Sequence, residues 1–506
     1  MTSSPGFDVV VVGAGTAGCV VAARLSQDPA CRVALLEAGG PPSDPDIDDP
    51  LLWTNIQGRA YDWAYRTVPQ PHTAGRVHDW PRGKVVGGSG CLHAMAYVRG
   101  HPRDFDTWAA AGGARWSWDG LRAGFDRSAT LLPGTGGPLD VWLPEAEVSP
   151  LVRAYIAAGT ALGVPAIPGH NRGLLVGTTP NSLNIRAGRR LTLAGSHLTP
   201  EVLARPNLTL LTGHCADRMD IEARVLWVDG PDGMRRISAG RIVLALGAVG
   251  TPLLLFRSGV GDPRVLAAAG IECRMALPGV GRNLQDHLLV AGTVYSASRP
   301  VPPSRLQHSE SLMYLDSRVG FGASDGPPDV VLGCVVAPTA AHPDGLPAYG
   351  DGYTLLSGQT HPKSRGSLTP TGPARSDPPL IDPQYLSHPD DRAAMRRALR
   401  MARDLGTHAA LDGWRRDEVL PGKTVQSDAA LDDFVARHAI THHHPAGTCR
   451  MGTDSAAVVD GDLRLGGTNG VFVVDASVIP TLPSGPINAA VAAIAETWSA
   501  LAPDLA

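Results

Sequence analysis

The run Asp8-Val-Val-Val-Val12 passes directly into Gly13-Ala-Gly-Thr-Ala-Gly18, and this junction constrains the fold more than any other part of the chain. The apolar, β-branched run predicts a buried parallel strand. Residues 19–25 then read as a helix and Arg32–Glu37 as a second strand, a βαβ unit of about thirty residues. In that context the glycine pattern describes a dinucleotide-phosphate site. Gly13 permits the tight turn, Gly15 lets a pyrophosphate reach the backbone, and Gly18 lets helix and strand pack closely. The first N–H groups of the helix face the phosphate. Glu37 suits ribose hydroxyls and disfavours a 2′-phosphate. FAD and NAD proteins share this pattern.

The rest of the composition narrows the class. The chain has 506 residues, a net charge of -4, 43% hydrophobic and 18% charged residues, so it is globular, of more than one domain or one large composite, and has no nucleic-acid footprint. With 59 Gly and 44 Pro it suits a loop-rich α/β or α+β enzyme. The 7 cysteines are widely spaced without a CxxC, which predicts free thiols rather than a disulfide or zinc framework. No apolar run reaches membrane-spanning length and no leader precedes the first strand, so a soluble, cytoplasmic protein is expected.

Residues 39–50 and 129–150 read as loops, and Arg241–Gly247 as another buried strand. Residues 390–405 predict an amphipathic helix with a solvated basic face, and residues 489–500 a final helix. Gly322-Ala-Ser-Asp-Gly326 fits GxSxG, but Pro327 and Pro328 follow it, so it is expected to be a surface loop and no nucleophile elbow.

Further segments complete a family pattern. They are Gly83-Lys-Val-Val-Gly-Gly-Ser-Gly-Cys-Leu-His-Ala-Met-Ala-Tyr-Val-Arg-Gly100, Gly247-Ala-Val-Gly-Thr-Pro252, Pro278-Gly-Val-Gly-Arg-Asn-Leu-Gln-Asp-His287, His444-Pro-Ala-Gly-Thr-Cys-Arg-Met-Gly452, Val474-Asp-Ala-Ser477 and Pro486-Ile-Asn488. Together with the N-terminal fingerprint, in this order along nearly the whole chain, they resemble the GMC (glucose–methanol–choline) oxidoreductases, FAD-dependent alcohol oxidases and dehydrogenases.

The resemblance implies an α/β Rossmann-like FAD-binding domain combined with an α+β substrate domain built on an antiparallel sheet. The FAD-binding parts would be residues 1–150, 205–290 and 441–506, and the substrate parts 151–204 and 291–440. It also implies cofactor contacts. Gly13, Gly15, Thr16, Ala17 and Gly18 would hold the pyrophosphate, Glu37 and Ala38 the adenosine ribose, and Cys215 and Ala216 the adenine. Val86, Gly88, Gly90, His93, Ala94 and Val98 would line the flavin edge, with Asp475, Ala476 and Asn488 at the second phosphate and flavin. The choline-oxidising relatives place a flavin-linking histidine where Leu92 stands here, so non-covalent FAD is expected.

By the same resemblance His444 is the active-site base and Asn488 its partner. The chemistry agrees, since alcohol oxidation needs a base near neutral pH and a donor to hold the substrate oxygen. Asn488 also opens the last helix, where asparagine is a good N-cap. His442 and His444 would share a face of a strand, but no Cys, Asp or Glu stands at ligand spacing beside them, so no metal is expected. His443 reads as a second titrating group or a hydrogen-bonding neighbour. The expected partners are a small alcohol and molecular oxygen or another electron acceptor. A nicotinamide dehydrogenase would share only the first segment, and the alternative on the same FAD scaffold is a hydroxynitrile-lyase-like reaction without net oxidation.

Overall fold

The computed structural model describes residues 6–131 and 136–502; part of the 129–150 loop therefore lies outside the described residues. Strand β1 (Phe7–Val12) is central in a seven-stranded sheet. It pairs in parallel with β2 (Val33–Leu36) and with the end of the Gly233–Leu244 strand. That long strand changes partners along its length. Its first half pairs antiparallel with Val225–Gly230, and its last residues pair in parallel with Val471–Val473. Val9 to Val12 are at most 1% exposed, as a strand covered on both faces requires.

Helix α1 (Thr16–Leu25) begins three residues before the expected start, because Gly15 is its N-cap and the fingerprint itself forms the first turn. A Cβ at Gly18 would lie 1.8 Å from the Gly13 carbonyl oxygen, so this turn accepts no side chain there. The last helix, Asn488–Leu501, is buried almost throughout and packs against α1. Its Glu496 is 1% exposed and is paired with Arg24 at 2.8 Å and His197 at 3.3 Å.

The second sheet is six-stranded, with strands Ser309–Leu315, Val330–Val335, Gly352–Gln359, Leu288–Ala297 and Arg415–Leu420 in spatial order. Ala439–Thr441 also pairs with Leu288–Ala297, and every pairing is antiparallel. Alternation sorts its faces. Met313 and Leu315 join a core under the helices Pro150–Ala161 and Pro389–Gly406, while Leu312 and Tyr314 face the other way with Leu289 and Val331.

The basic face of Pro389–Gly406 is partly solvated, as expected, with the Arg397 and Arg400 side chains 40% and 44% exposed, but its arginines are also paired. Arg396 pairs with Asp432, Arg400 with Asp428, Arg397 with Asp329 at 3.2 Å and Arg403 with Glu418 at 2.9 Å. These acids lie on other elements, so the face also ties neighbours together. Gly322–Gly326 lies in a loop between two strands, where Ser324 Oγ donates to Asp316 at 3.1 Å; no helix follows it. All seven cysteines are free, and among the described residues no helix is long and apolar enough to cross a membrane.

Candidate active site

A cavity of about 1070 Å³ runs from the end of β1 to the inner face of the second sheet. At one end it is lined by Gly13, Gly15, Thr16, Ala17, Glu37 and Ala38, with Cys215 and Ala216 beside them. Further along come Gly88, His93, Ala94, Asp475 and Ala476. His442, His443 and His444 line it together with Leu289, Ala291, Leu312, Val335 and Leu356 of the sheet, and Asn488 lines it as well. Four of the residues expected to touch cofactor do not line it. Gly18 is consumed by packing against Gly13, and Gly90 faces Thr16, 3.5 Å from where its Cβ would be. Val86 is buried behind the wall, and Val98 packs in the core with Leu289, Leu312 and Tyr314.

The fingerprint end has the features of an anion cradle. Gly15 caps α1 without a side-chain hydrogen bond, and no acid stands in the first turn, so its N–H groups are available to phosphate. A Cβ on Gly15 would meet nothing nearer than Gly88 Cα at 3.9 Å, so the protein's own packing does not demand glycine there. Glu37 is held in place by the Ala14 N–H at 3.0 Å and the Gly39 N–H at 2.9 Å, which leaves each oxygen a further lone pair. Burial raises its carboxyl above the ordinary range against the pull of those N–H groups. These residues fit FAD. Asp475 differs, because its carboxylate already accepts from Gly247 N, Thr251 Oγ1, Ser477 N and Ser477 Oγ. Its backbone N–H, rather than its side chain, is left to face a cofactor.

His93 accepts the Met95 N–H on Nδ1 at 2.8 Å, and burial, then Arg190, lowers it to about 3. Asn488 is a correction. Ile487 is the N-cap and has no side-chain capping bond; Asn488 is the first helical residue. Its Nδ2 donates to Thr16 Oγ1 at 2.8 Å, which joins the last helix directly to the fingerprint.

The histidine loop follows the Ala439–Thr441 strand and is pinned by Asp286, which is 3% exposed. Asp286 Oδ1 accepts the His444 N–H at 2.7 Å, and Oδ2 accepts Thr441 Oγ1 at 2.5 Å and the Tyr385 hydroxyl. Burial pushes Asp286 up to about 6, opposed by these donors and by Arg82. His443 takes a left-handed backbone with φ 64°, and its carbonyl accepts Arg82 Nη2 at 3.0 Å. The rings of His442 and His444 are 4.4 Å apart, with His287 edge-on to His444. His287 Nδ1 lies 2.9 Å from His444 Nδ1.

Spacing along the chain does not reveal His287, which arrives from the start of the Leu288–Ala297 strand. Ligand nitrogens of His287, His442 and His444 lie within 4.8 Å of one another. Two of them are already hydrogen-bonded to each other. Asp286 and His287 were visible in the Pro278–His287 motif, but nothing local in that motif assigned them a role.

Burial is the main cause that pushes His287, His442 and His443 down to about 3 and His444 well below 6.5; neighbouring histidines and Arg82 add to it. The imidazoles are therefore neutral at pH 7. The unfolded chain binds protons near pH 6.5 that the folded chain refuses until about pH 3. Stability should thus fall as pH drops through 6.5, by up to about 1.4 kcal/mol per pH unit for each such histidine. Urea midpoints measured from about pH 8 to pH 5 check this; a midpoint that rises on acidification contradicts it.

Comparison with known proteins identifies the class. GMC oxidoreductase family models match residues 7–289 and 362–495. The chain belongs to that family, whose members bind FAD, and it is an FAD-dependent oxidoreductase acting on CH–OH donors. It is 50% identical over 503 residues to pyridoxine 4-oxidase of Microbacterium luteolum, covering 97% of this chain and 99% of that one. The crystal structure of pyridoxine 4-oxidase from Mesorbium loti superposes with a TM-score of 0.96 at 52% identity, covering 98% of this chain and 99% of that one. A formate oxidase of Aspergillus oryzae RIB40, studied for its FAD modification, superposes at 0.89 with 26% identity and full coverage of both chains. These relatives are oxidases, and the lyase alternative draws no support from them.

Proposed function

We propose that this enzyme oxidises an uncharged aromatic alcohol, a hydroxymethyl group on a pyridine ring of the pyridoxine type, to the aldehyde, with molecular oxygen as the final acceptor. The observation that carries the reading is the single cavity joining the fingerprint to the histidine loop. Full-length similarity to pyridoxine 4-oxidases supports the substrate. Among the described residues, the part of the wall formed by Leu289, Ala291, Gln307, Ser309, Leu312, Val335 and Leu356 carries no carboxylate. A quaternary ammonium would find no counter-ion on that wall, whereas a neutral ring finds apolar faces and amide or hydroxyl partners.

Gly13, Gly15 and Thr16 would hold the FAD pyrophosphate, Glu37 the ribose and Cys215–Ala216 the adenine, while Gly88, His93, Ala94 and Ala476 would flank the flavin. FAD, when bound, supplies the hydride acceptor. His444, neutral and facing the cavity, takes the hydroxyl proton. Asn488, fixed by Thr16, holds the substrate oxygen as its charge grows. The apolar sheet face excludes water from the reacting carbon.

Assay of an alcohol panel for peroxide tests this reading. Pyridoxine should be turned over well ahead of choline and simple aliphatic alcohols; choline as the preferred substrate would overturn the assignment. FAD should be non-covalent because Leu92 cannot form a linkage. Acid precipitation should leave the flavin in the supernatant, and flavin retained on the polypeptide would point to His93.

A further inference from the structure

The hydrogen-bond chain behind His444 determines which of its nitrogens can act. His287 Nε2 lies 2.8 Å from the Thr360 carbonyl oxygen. A carbonyl only accepts, so this nitrogen carries the hydrogen. A neutral imidazole has one N–H, which leaves His287 Nδ1 bare. That atom is 2.9 Å from His444 Nδ1, and two bare nitrogens would repel. The hydrogen between them therefore belongs to His444. His444 is the Nδ1–H tautomer, and its Nε2 carries the free lone pair. The two rings are perpendicular, with centroids 5.1 Å apart, so His444 donates edge-on. The same segment fixes the main chain: Asp286 accepts the His444 N–H, and the His287 carbonyl accepts the His442 N–H at 2.8 Å.

We propose that His287 is a positioning residue that locks His444 in the Nδ1–H tautomer, so that Nε2 is the atom that receives the substrate proton. This rests on the reading of His444 as the base. The proton leaves the alcohol oxygen for His444 Nε2, while the Nδ1–H stays bonded to His287 throughout. The chain ends on a backbone carbonyl, which cannot take a proton, so it orients the base without conducting protons away. Burial keeps His287 neutral, which preserves its acceptor nitrogen.

Two-bond proton–nitrogen NMR on histidine-¹⁵N-labelled holoenzyme, with His444 assigned by its loss in His444→Gln, reads the tautomer without turnover. Wild type should show Nδ1–H on His444. In His287→Leu the signal should move towards the Nε2–H form. Flavin reduction should then slow by about 10–100-fold with little change in substrate KM. His287→Asn, whose amide oxygen can replace the acceptor, should restore both the tautomer and most of the rate. An Nε2–H tautomer in wild type overturns the proposal even if the leucine variant does not fold. So does an unchanged Nδ1–H signal in a folded, FAD-loaded His287→Leu. If instead His444→Ala reduces its flavin normally, the base assignment fails while the tautomer measurement still stands by itself.

Discussion

His444→Ala should slow anaerobic flavin reduction by about 10²–10⁴-fold, the usual cost of losing a general base, while FAD stays bound. FAD should be retained because Glu37 is held by the Ala14 and Gly39 N–H groups, neither of which depends on the His444 side chain. Folding should survive, since Asp286 holds residue 444 through its backbone N–H, which alanine retains. His443→Phe is the internal comparison. Its Nδ1 has no hydrogen-bond partner among the described residues, so its loss should leave far more activity than the loss of His444. Stopped-flow reduction of both variants checks the order. A wild-type rate in His444→Ala together with a collapsed rate in His443→Phe would move the base to the other histidine.

Gly15→Val should abolish FAD retention and leave the apoprotein folded. Gly15 has φ -79°, which any residue tolerates, and its Cβ direction is open to 3.9 Å. The Cβ of a valine there clears the protein, and its methyls project into the space beside Gly88 at the start of α1. Overpacking of that kind costs about 3 kcal/mol or more, roughly 100-fold in affinity. Gly18→Ala behaves differently, because its Cβ would meet the Gly13 carbonyl oxygen at 1.8 Å and damage the fold itself. Purified Gly15→Val should be colourless, with an apoprotein melting temperature near that of wild-type apoprotein, and should lack the further rise that FAD gives wild type. Full flavin occupancy in this variant would contradict the pyrophosphate assignment.

What could be read from the chain was local. The βαβ unit was legible because strand, glycines and helix are contiguous and each glycine has its own steric reason. The last helix was legible from its length and apolarity, but its start was misjudged by one residue: Ile487 caps it, and Asn488 is turned towards Thr16, 472 positions away in sequence. The basic face of Pro389–Gly406 carried no sign of its partners, because Asp329, Glu418, Asp428 and Asp432 are brought to it by tertiary packing. The support for the candidate base was hidden for the same reason. His287 is 157 positions from His444, and Tyr385 and Thr360 reach the cluster from separate segments. No periodicity links such residues. His287 and His442 meet because the Leu288–Ala297 and Ala439–Thr441 strands pair antiparallel, with Leu288 opposite Thr441, which sets the residues just outside that pair side by side.

The central claim is that this cavity removes hydride and proton from a pyridoxine-type alcohol. Mixing the wild-type holoenzyme anaerobically with pyridoxine, while following flavin absorbance and aldehyde together, tests it most directly. Bleaching of the flavin with one aldehyde formed per flavin reduced is the expected result. A flavin that stays oxidised, whether or not product appears, would contradict it.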